Sequence, residues 1–181
     1  MRIVDTTEHQ RAEALAATEA GRLAEAYRLW LPLAEAGDAD AQCQVGSMML
    51  FSLHRFESYE QLNAGTGPTV DEATSHDDRE AGVQFLKAAS AAGIGAASFN
   101  LAGLYVDVSG DGSWEERKAK AAELYALAYS QGFTVFGWLM QGEGPGQPYL
   151  DLMERHMLSG DQSPPPEWWS AKPCNETDGG A

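Results

Sequence analysis

The sequence has few basic residues and few cysteines for its length. It contains 12 Lys and Arg against 27 Asp and Glu, so its formal net charge is −15 over 181 residues. This charge repels phosphate groups and argues against nucleic acid and anionic membrane surfaces as partners. An acidic surface is typical of soluble proteins, and it also permits a basic protein partner.

The two cysteines, Cys43 and Cys174, are too few to predict a disulfide framework or a zinc site. The first ten residues contain Asp5 and Glu8 and no apolar run, so we expect no signal peptide. These features predict a reducing, cytoplasmic setting.

The motifs that most often mark enzymes are missing. No serine is followed three residues later by Lys, and the sequence has no H-E-x-x-H, G-x-S-x-G, G-x-x-x-x-G-K-[ST] or C-x-x-C. Carboxylates are plentiful, but no pair stands out from the acidic background. We therefore predict no catalytic residues and no bound cofactor, although a site assembled from distant residues stays open.

Two uncharged runs, 88–106 and 124–142, are long enough to be considered as membrane spans. Each has glycine near its middle and is interrupted by Ser, Asn or Gln. This pattern favours helical hairpins, so we expect no membrane-spanning segment.

The residues that are abundant favour helices. Alanine is common and β-branched residues are sparse, which predicts an all-α fold. Over 24–50, apolar residues recur at helical spacing in two stretches separated by Gly37, and Asp38 is suited to cap the second. The predicted buried faces comprise Ala26, Leu29, Trp30, Leu33 and Ala34 in the first stretch, and Ala41, Val45, Met48 and Met49 in the second.

This pattern repeats along the chain. It returns 56 residues later, over 81–105, where Gly93 takes the place of Gly37. A weaker third copy follows after 39 more residues, with Gly132 in the same place. The return of the same apolar pattern, with glycine at the same position in each copy, predicts a helical repeat array. A short helical hairpin needs neighbours of the same kind to bury its apolar faces. We assign to the core Ala24, Leu29, Phe85, Ala89, Leu101 and Leu124.

Two blocks carry a family resemblance: A-x-x-L-W-x-P-L-A-E-A-G-D-A-D-A-Q-x-x-V-G-x-M from Ala26, and F-L-K-A-A-S-A-A-G-x-x-A-A-S-F-N-L-A-G-L-Y from Phe85. They resemble Sel-1-like repeats, close relatives of tetratricopeptide repeats, over roughly 20–135. The resemblance implies a short right-handed α-solenoid of antiparallel helix pairs, forming one domain over 1–159. Its units would span about 22–53, 78–108 and 114–140, with an insertion at 51–80.

The resemblance also implies a binding groove on the concave side of the array, lined by the first helix of each unit. The groove residues that it implies are Tyr27, Arg28, Leu31, Gln84, Lys87, Lys120 and Glu123. Long insertions in such arrays are often places where a partner is met.

Two polar segments could carry chemistry. In the insertion, where 51–62 could extend or add a helix, His54 and His76 accompany Asp77 and Asp78. They suggest a metal or acid–base site, but no pair has ligand spacing, which favours a polar loop leading into the next helix over 74–80.

The second segment partly fits an EF-hand loop through Asp107, Ser109, Asp111, Gly112 and Glu115. Lys118 stands where the bidentate Glu should be, which favours an ordinary turn over a weak Ca²⁺ site, and we predict no metal.

The C-terminal part predicts one more helix and a tail. Over 149–158 the pattern is amphipathic, and we expect Leu150, Met153 and either Met157 or Leu158 to face inward, capping the array. The proline-rich tail, 160–181, should be extended at 164–166 and partly disordered beyond. Its Trp168 and Trp169 would either fold back onto the helices or anchor a partner.

The predicted function is therefore protein binding by a cytoplasmic adaptor or regulatory scaffold. The alternative is an acidic immunity protein that neutralises a basic toxin or effector, because charge steers association. An uncapped end of the array or the two tail tryptophans could also mediate dimers, so the oligomeric state stays open.

Overall fold

The computed structural model describes residues 6–69, 71–106, 112–134 and 146–158. These residues form helices and turns, and they contain no strand beyond one isolated bridge between Arg22 and Ser58. The all-α prediction is confirmed for this part of the chain. The chain falls into two compact units, Met1–Ala97 and Ser98–Ala181, while the solenoid and its repeat units stay predictions.

The described helices are divided between the two units. The first unit contains α1 (Thr6–Glu19), α2 (Leu23–Glu35), α3 (Ala39–Leu50), a 3-10 turn (Leu53–Arg55), α4 (Tyr59–Asn63) and α5 (Glu72–Ala91). Helix α6 (Gly95–Val106) starts as this unit ends, and α7 (Trp114–Ser130) and α8 (Gln147–Leu158) follow in the second unit.

Helices α1, α2, α5 and α7 all end at a glycine with positive φ: Gly21, Gly37, Gly93 and Gly132. After α2, the N–H of Gly37 donates to the Ala34 carbonyl and that of Asp38 to the Leu33 carbonyl, both at 3.0 Å. The same pair of bonds closes the other three helices, so each end is a Schellman motif. The predicted stops at Gly37, Gly93 and Gly132 are confirmed, and Asp38 caps α3 by accepting from the Ala41 N–H at 2.9 Å.

The first unit is held together by α1 on α2, α2 on α3 and α3 on α5. Trp30 lies in its core, and its indole N–H donates to Thr18 Oγ1 at 2.9 Å, so the buried polar atom is satisfied. Leu29 and Phe85 pack against the core from partly buried positions. The buried core comprises Ala14, Ala17, Ala26, Trp30, Leu33, Ala34, Ala41, Val45, Met48 and Met49.

Two glycines lie where α3 and α5 cross. A Cβ on Gly46 would lie 2.8 Å from the Gly82 carbonyl oxygen and 2.8 Å from Leu86 Cγ. A Cβ on Gly82 would lie 2.8 Å from Met49 Cβ. Glycine costs roughly 1 kcal/mol against alanine inside a helix, so its presence is explained by this close approach.

The predicted insertion is tied to the first unit by its backbone. Helix α2 has no side-chain cap; instead, its N–H groups at Leu23 and Ala24 donate to the carbonyls of Glu57 and Phe56, both at 3.0 Å. These bonds satisfy donors that a helix start leaves open. The polar loop predicted over 74–80 is wrong, because residues 72–80 form the first turns of α5, which Asp71 caps through the Thr74 N–H at 2.8 Å.

The second unit packs α7 against α8. A capping box begins α7, since Ser113 accepts from the Glu116 N–H and the Glu116 carboxylate accepts from the Ser113 N–H. Leu150 is fully buried and Met153 packs against the same core, which confirms the inward face of α8 at these two positions. The side chains of Met157 and Leu158 lie outside the described set.

Within the described residues, no helix combines the length and the apolar character needed to cross a bilayer.

Candidate functional site

The 3-10 turn brings two basic side chains to an acidic one on α5. Ser52 has a φ of 54°, in the left-handed region, and this conformation redirects the chain as α3 ends. The turn packs on α2, and it places His54 and Arg55 beside Asp78. We call His54, Arg55, Asp78 and the neighbouring Tyr27 the His54 cluster.

Both ring nitrogens of His54 face oxygen acceptors. Nε2 lies 2.9 Å from Asp78 Oδ2, and Nδ1 lies 3.2 Å from the carbonyl oxygen of Met48. The His54 side chain is 12% exposed and that of Asp78 is 22% exposed, so this pair is largely shielded from water.

The Arg55 guanidinium strengthens the same connection. It donates to the Asp78 carboxylate and, at 3.3 Å, to the carbonyl of Thr74. One carboxylate of α5 therefore binds two consecutive side chains of the turn. Hydrogen bonds to charged groups are among the stronger ones in proteins, so the cluster should hold the turn firmly on α5.

Tyr27 completes the cluster from α2. Its ring centroid lies 4.9 Å from that of His54, with the planes tilted by 38°. Burial raises the pKa of the Tyr27 phenol, and the negative charges of Asp78 and Glu35 raise it further. The phenol is therefore held in its neutral form.

The geometry of the cluster suits a structural tie better than acid–base chemistry. A general base needs a nitrogen that can reach a proton on the substrate, and both nitrogens of His54 already contact protein oxygens. His76 and Asp77, which the sequence grouped with them, are exposed on the outside of α5. Across the described ranges, no three His, Cys, Asp or Glu side chains are grouped to hold a metal ion.

The predicted groove residues divide into two classes. Tyr27 and Leu31 are partly buried and pack against the core of the first unit. The other five described positions are exposed: Arg28, Gln84, Lys87, Lys120 and Glu123. Trp168 and Trp169 lie outside the described residues.

The segment that resembles an EF-hand loop falls mostly outside the described residues, which exclude 107–111. Glu115 is exposed on the first turn of α7. Lys118 pairs with Glu154 and lies 3.6 Å from Asp151, so it ties α7 to α8. Hydrogen bonding to Glu154 raises the pKa of the Lys118 ammonium, and the charges of Glu154 and Asp151 act in the same direction.

Sequence reasoning named His54 and Asp78 but did not pair them. They are 24 residues apart, and neither lies in a ligand motif.

Comparisons of the chain with family models, curated proteins and solved structures found no match. The resemblance to Sel-1-like repeats therefore stays a prediction that depends on the two blocks beginning at Ala26 and Phe85.

Proposed function

We propose that the chain is a protein-binding module of Sel-1-like repeats that acts as an adaptor or regulatory scaffold in the cytoplasm and performs no chemistry of its own. The observation that supports this proposal most is the exposure of Arg28, Gln84 and Lys87 on α2 and α5. These polar side chains lie on helices whose other faces are used in packing. They lie outside the hydrophobic core and can contact a partner.

A specific observation favours a second candidate, an immunity protein that neutralises a basic toxin or effector. The formal net charge of −15 gives the chain a field that accelerates encounter with a basic protein, and this acceleration falls with salt. An adaptor needs no such dependence and would bind several partners with modest affinity.

The test is a pull-down of the tagged chain from lysate of the native organism at low and high salt, followed by mass spectrometry. One stoichiometric, basic partner released by salt supports the immunity protein, and its activity is then assayed with and without the chain. Several partners present below stoichiometry support the adaptor. Capture of no protein at either salt concentration contradicts both.

A matched pair of variants tests the groove itself. The double variant Gln84→Ala/Lys87→Ala should weaken binding of the captured protein about tenfold, since both side chains are exposed on α5. The control variant is His9→Ala/Glu13→Ala, which removes an exposed pair on α1. Equal affinity of the two variants would exclude the α5 face.

A further inference from the structure

The 3-10 turn and α4 belong to a segment that lies on the first unit without entering its core. We call residues 52–63 the strap; all of them are described by the structure, and none is buried. Leu53 reaches the edge of the core but is only partly buried. The Tyr59 ring is 49% exposed and lies on Gly21, where an added Cβ would be 3.2 Å from Tyr59 Cδ2. Segments with few buried apolar contacts open locally, so the strap can detach while the helices beneath it stay packed.

Polar contacts at a few points hold the strap in place. Asp78 on α5 binds the side chains of His54 and Arg55. The carbonyls of Phe56 and Glu57 accept from the first N–H groups of α2, both at 3.0 Å. Another chain that carries the same charged group and the same backbone acceptors can make these bonds equally well. Exchange of the strap for such a chain would therefore cost little hydrogen-bond energy.

The surface beneath the strap combines groups that suit an extended peptide. The Tyr27 ring centroid lies 4.9 Å from that of His54, and the N–H groups of Leu23 and Ala24 point to the strap carbonyls. We call Tyr27, Asp78 and these two N–H groups the covered face. It offers an aromatic ring, a carboxylate and two backbone donors side by side, and backbone donors of this kind bind extended segments by main-chain hydrogen bonds.

The strap itself shows which chemistry the covered face accepts. The carboxylate of Asp78 receives a guanidinium from Arg55 and an imidazole from His54. The next residue, Phe56, has an extended backbone, with a φ of −110° and a ψ of 140°. The formal net charge of −15 favours the approach of a basic segment. An occupant of this face therefore needs a basic side chain followed by extended backbone.

We propose that the strap is an internal competitor that closes a peptide-binding face, and that a partner binds by displacing it with a basic segment of its own. An Arg of that segment would bind Asp78, and the extended residues after it would bind the start of α2. The inference rests on the proposed protein-binding function and adds its regulation. The repeat resemblance places Tyr27 in an open groove, whereas the strap covers it.

Hydrogen exchange of the full chain, followed by NMR, tests whether the strap opens by itself. The N–H groups of Leu23 and Ala24 should exchange at least about 100-fold faster than that of Val45, which is fully buried in α3. The variant His54→Ala/Arg55→Ala should accelerate exchange of the first two further and leave Val45 unchanged. Equal protection of the three N–H groups in wild type would overturn the proposal, because the strap would then open only when the whole unit unfolds.

A second experiment supplies the strap as a separate fluorescein-labelled peptide of residues 51–63 and measures its binding to the full chain by anisotropy. His54→Ala/Arg55→Ala keeps the covered face but removes the hold of the strap on Asp78. This variant should bind the peptide at least about tenfold more tightly than wild type, because a closed strap reduces the apparent affinity by the fraction of open chains. The same peptide with both basic residues replaced by Ala should not bind.

The matched control is His76→Ala/Arg79→Ala, which removes the same two residue types from exposed positions on α5 and should bind the peptide as wild type does. Circular dichroism of each variant confirms that the helices are retained. Equal affinity of His54→Ala/Arg55→Ala and wild type would overturn the internal competitor and leave the protein-binding function standing, since the pull-down tests that function separately. Binding of the alanine peptide would overturn the basic occupant. A wild-type dimer in light scattering would also overturn it, because the strap of a second copy would then take the place of a partner.

Discussion

Asp78 and Asp77 are neighbours on α5 with opposite surroundings. The Asp78 carboxylate binds His54 and Arg55, whereas the Asp77 side chain is 85% exposed. Asp78→Ala leaves two basic groups without their acceptor, and we expect it to lower the free energy of unfolding by about 2 kcal/mol. Asp77→Ala should change it by less than about 0.5 kcal/mol.

Urea unfolding followed by far-UV circular dichroism compares the two substitutions at neutral pH. The midpoint should move to lower urea in Asp78→Ala only. Equal midpoints would show that the His54 cluster does not hold the 3-10 turn on α5.

Cys43 gives a second prediction at the scale of one residue. It is buried in α3, and burial raises the pKa of its thiol to about 11, opposed by a hydrogen bond with Ser47. The thiolate is the reactive form, so iodoacetamide should alkylate the folded chain about 100-fold more slowly than the unfolded chain at pH ~8. The experiment uses Cys174→Ser, in which Cys43 is the one thiol, with and without urea. Similar rates in both conditions would contradict the burial of Cys43.

At the scale of helices, glycines with different surroundings should respond oppositely to the same substitution. Gly46→Ala or Gly82→Ala places a methyl group against backbone atoms of the opposite helix, and each should destabilise the chain by about 2 kcal/mol. Gly103 lies inside α6, and a Cβ added there would meet nothing within 4 Å. Gly103→Ala should therefore stabilise the chain by about 0.5–1 kcal/mol through helix propensity.

Thermal and urea unfolding of the three glycine variants measure these differences. The direction in which the unfolding midpoint moves is decisive, because helix propensity alone predicts a higher midpoint in all three variants. A higher unfolding midpoint in Gly46→Ala than in wild type would contradict the close crossing of α3 and α5.

At the scale of the whole molecule, titration links stability to pH. Burial raises the pKa of Tyr125 well above its ordinary value of 10.0, and the pKa of Lys118 is also raised, chiefly by its hydrogen bond with Glu154. The folded chain therefore keeps protons that the unfolded chain has lost. The contribution of these two groups to the free energy of unfolding is fully present below pH ~10. It decreases as the pH rises toward their pKa values in the folded chain, by about 1 kcal/mol at pH ~11.

Urea midpoints at pH ~8 and pH ~11 test this dependence. Tyr125→Phe should reduce the difference between the two midpoints, whereas Tyr129→Phe, on the exposed side of α7, should leave it unchanged. A midpoint that does not move with pH in wild type would contradict the burial of Tyr125.

Local patterns in the sequence were sufficient to predict most helices. The stops at Gly37, Gly93 and Gly132 and the cap at Asp38 depend on the conformation of a few consecutive residues, which the sequence specifies directly. Apolar residues at helical spacing likewise identified the buried faces of α2 and α3. The positions of the predicted groove were implied by the resemblance to Sel-1-like repeats, and they stay predictions.

Contacts between distant segments were decided only by the tertiary structure. The sequence contains His54 and Asp78, Gly46 and Gly82, and Gly21 and Tyr59, but no local pattern pairs them. Each contact depends on how one helix or turn is placed against another, and that placement follows from the packing of the whole core. The sequence by itself therefore determined the glycine stops and the cap at Asp38, while the fold decided which side chains meet, because these stops and caps are local and packing is not.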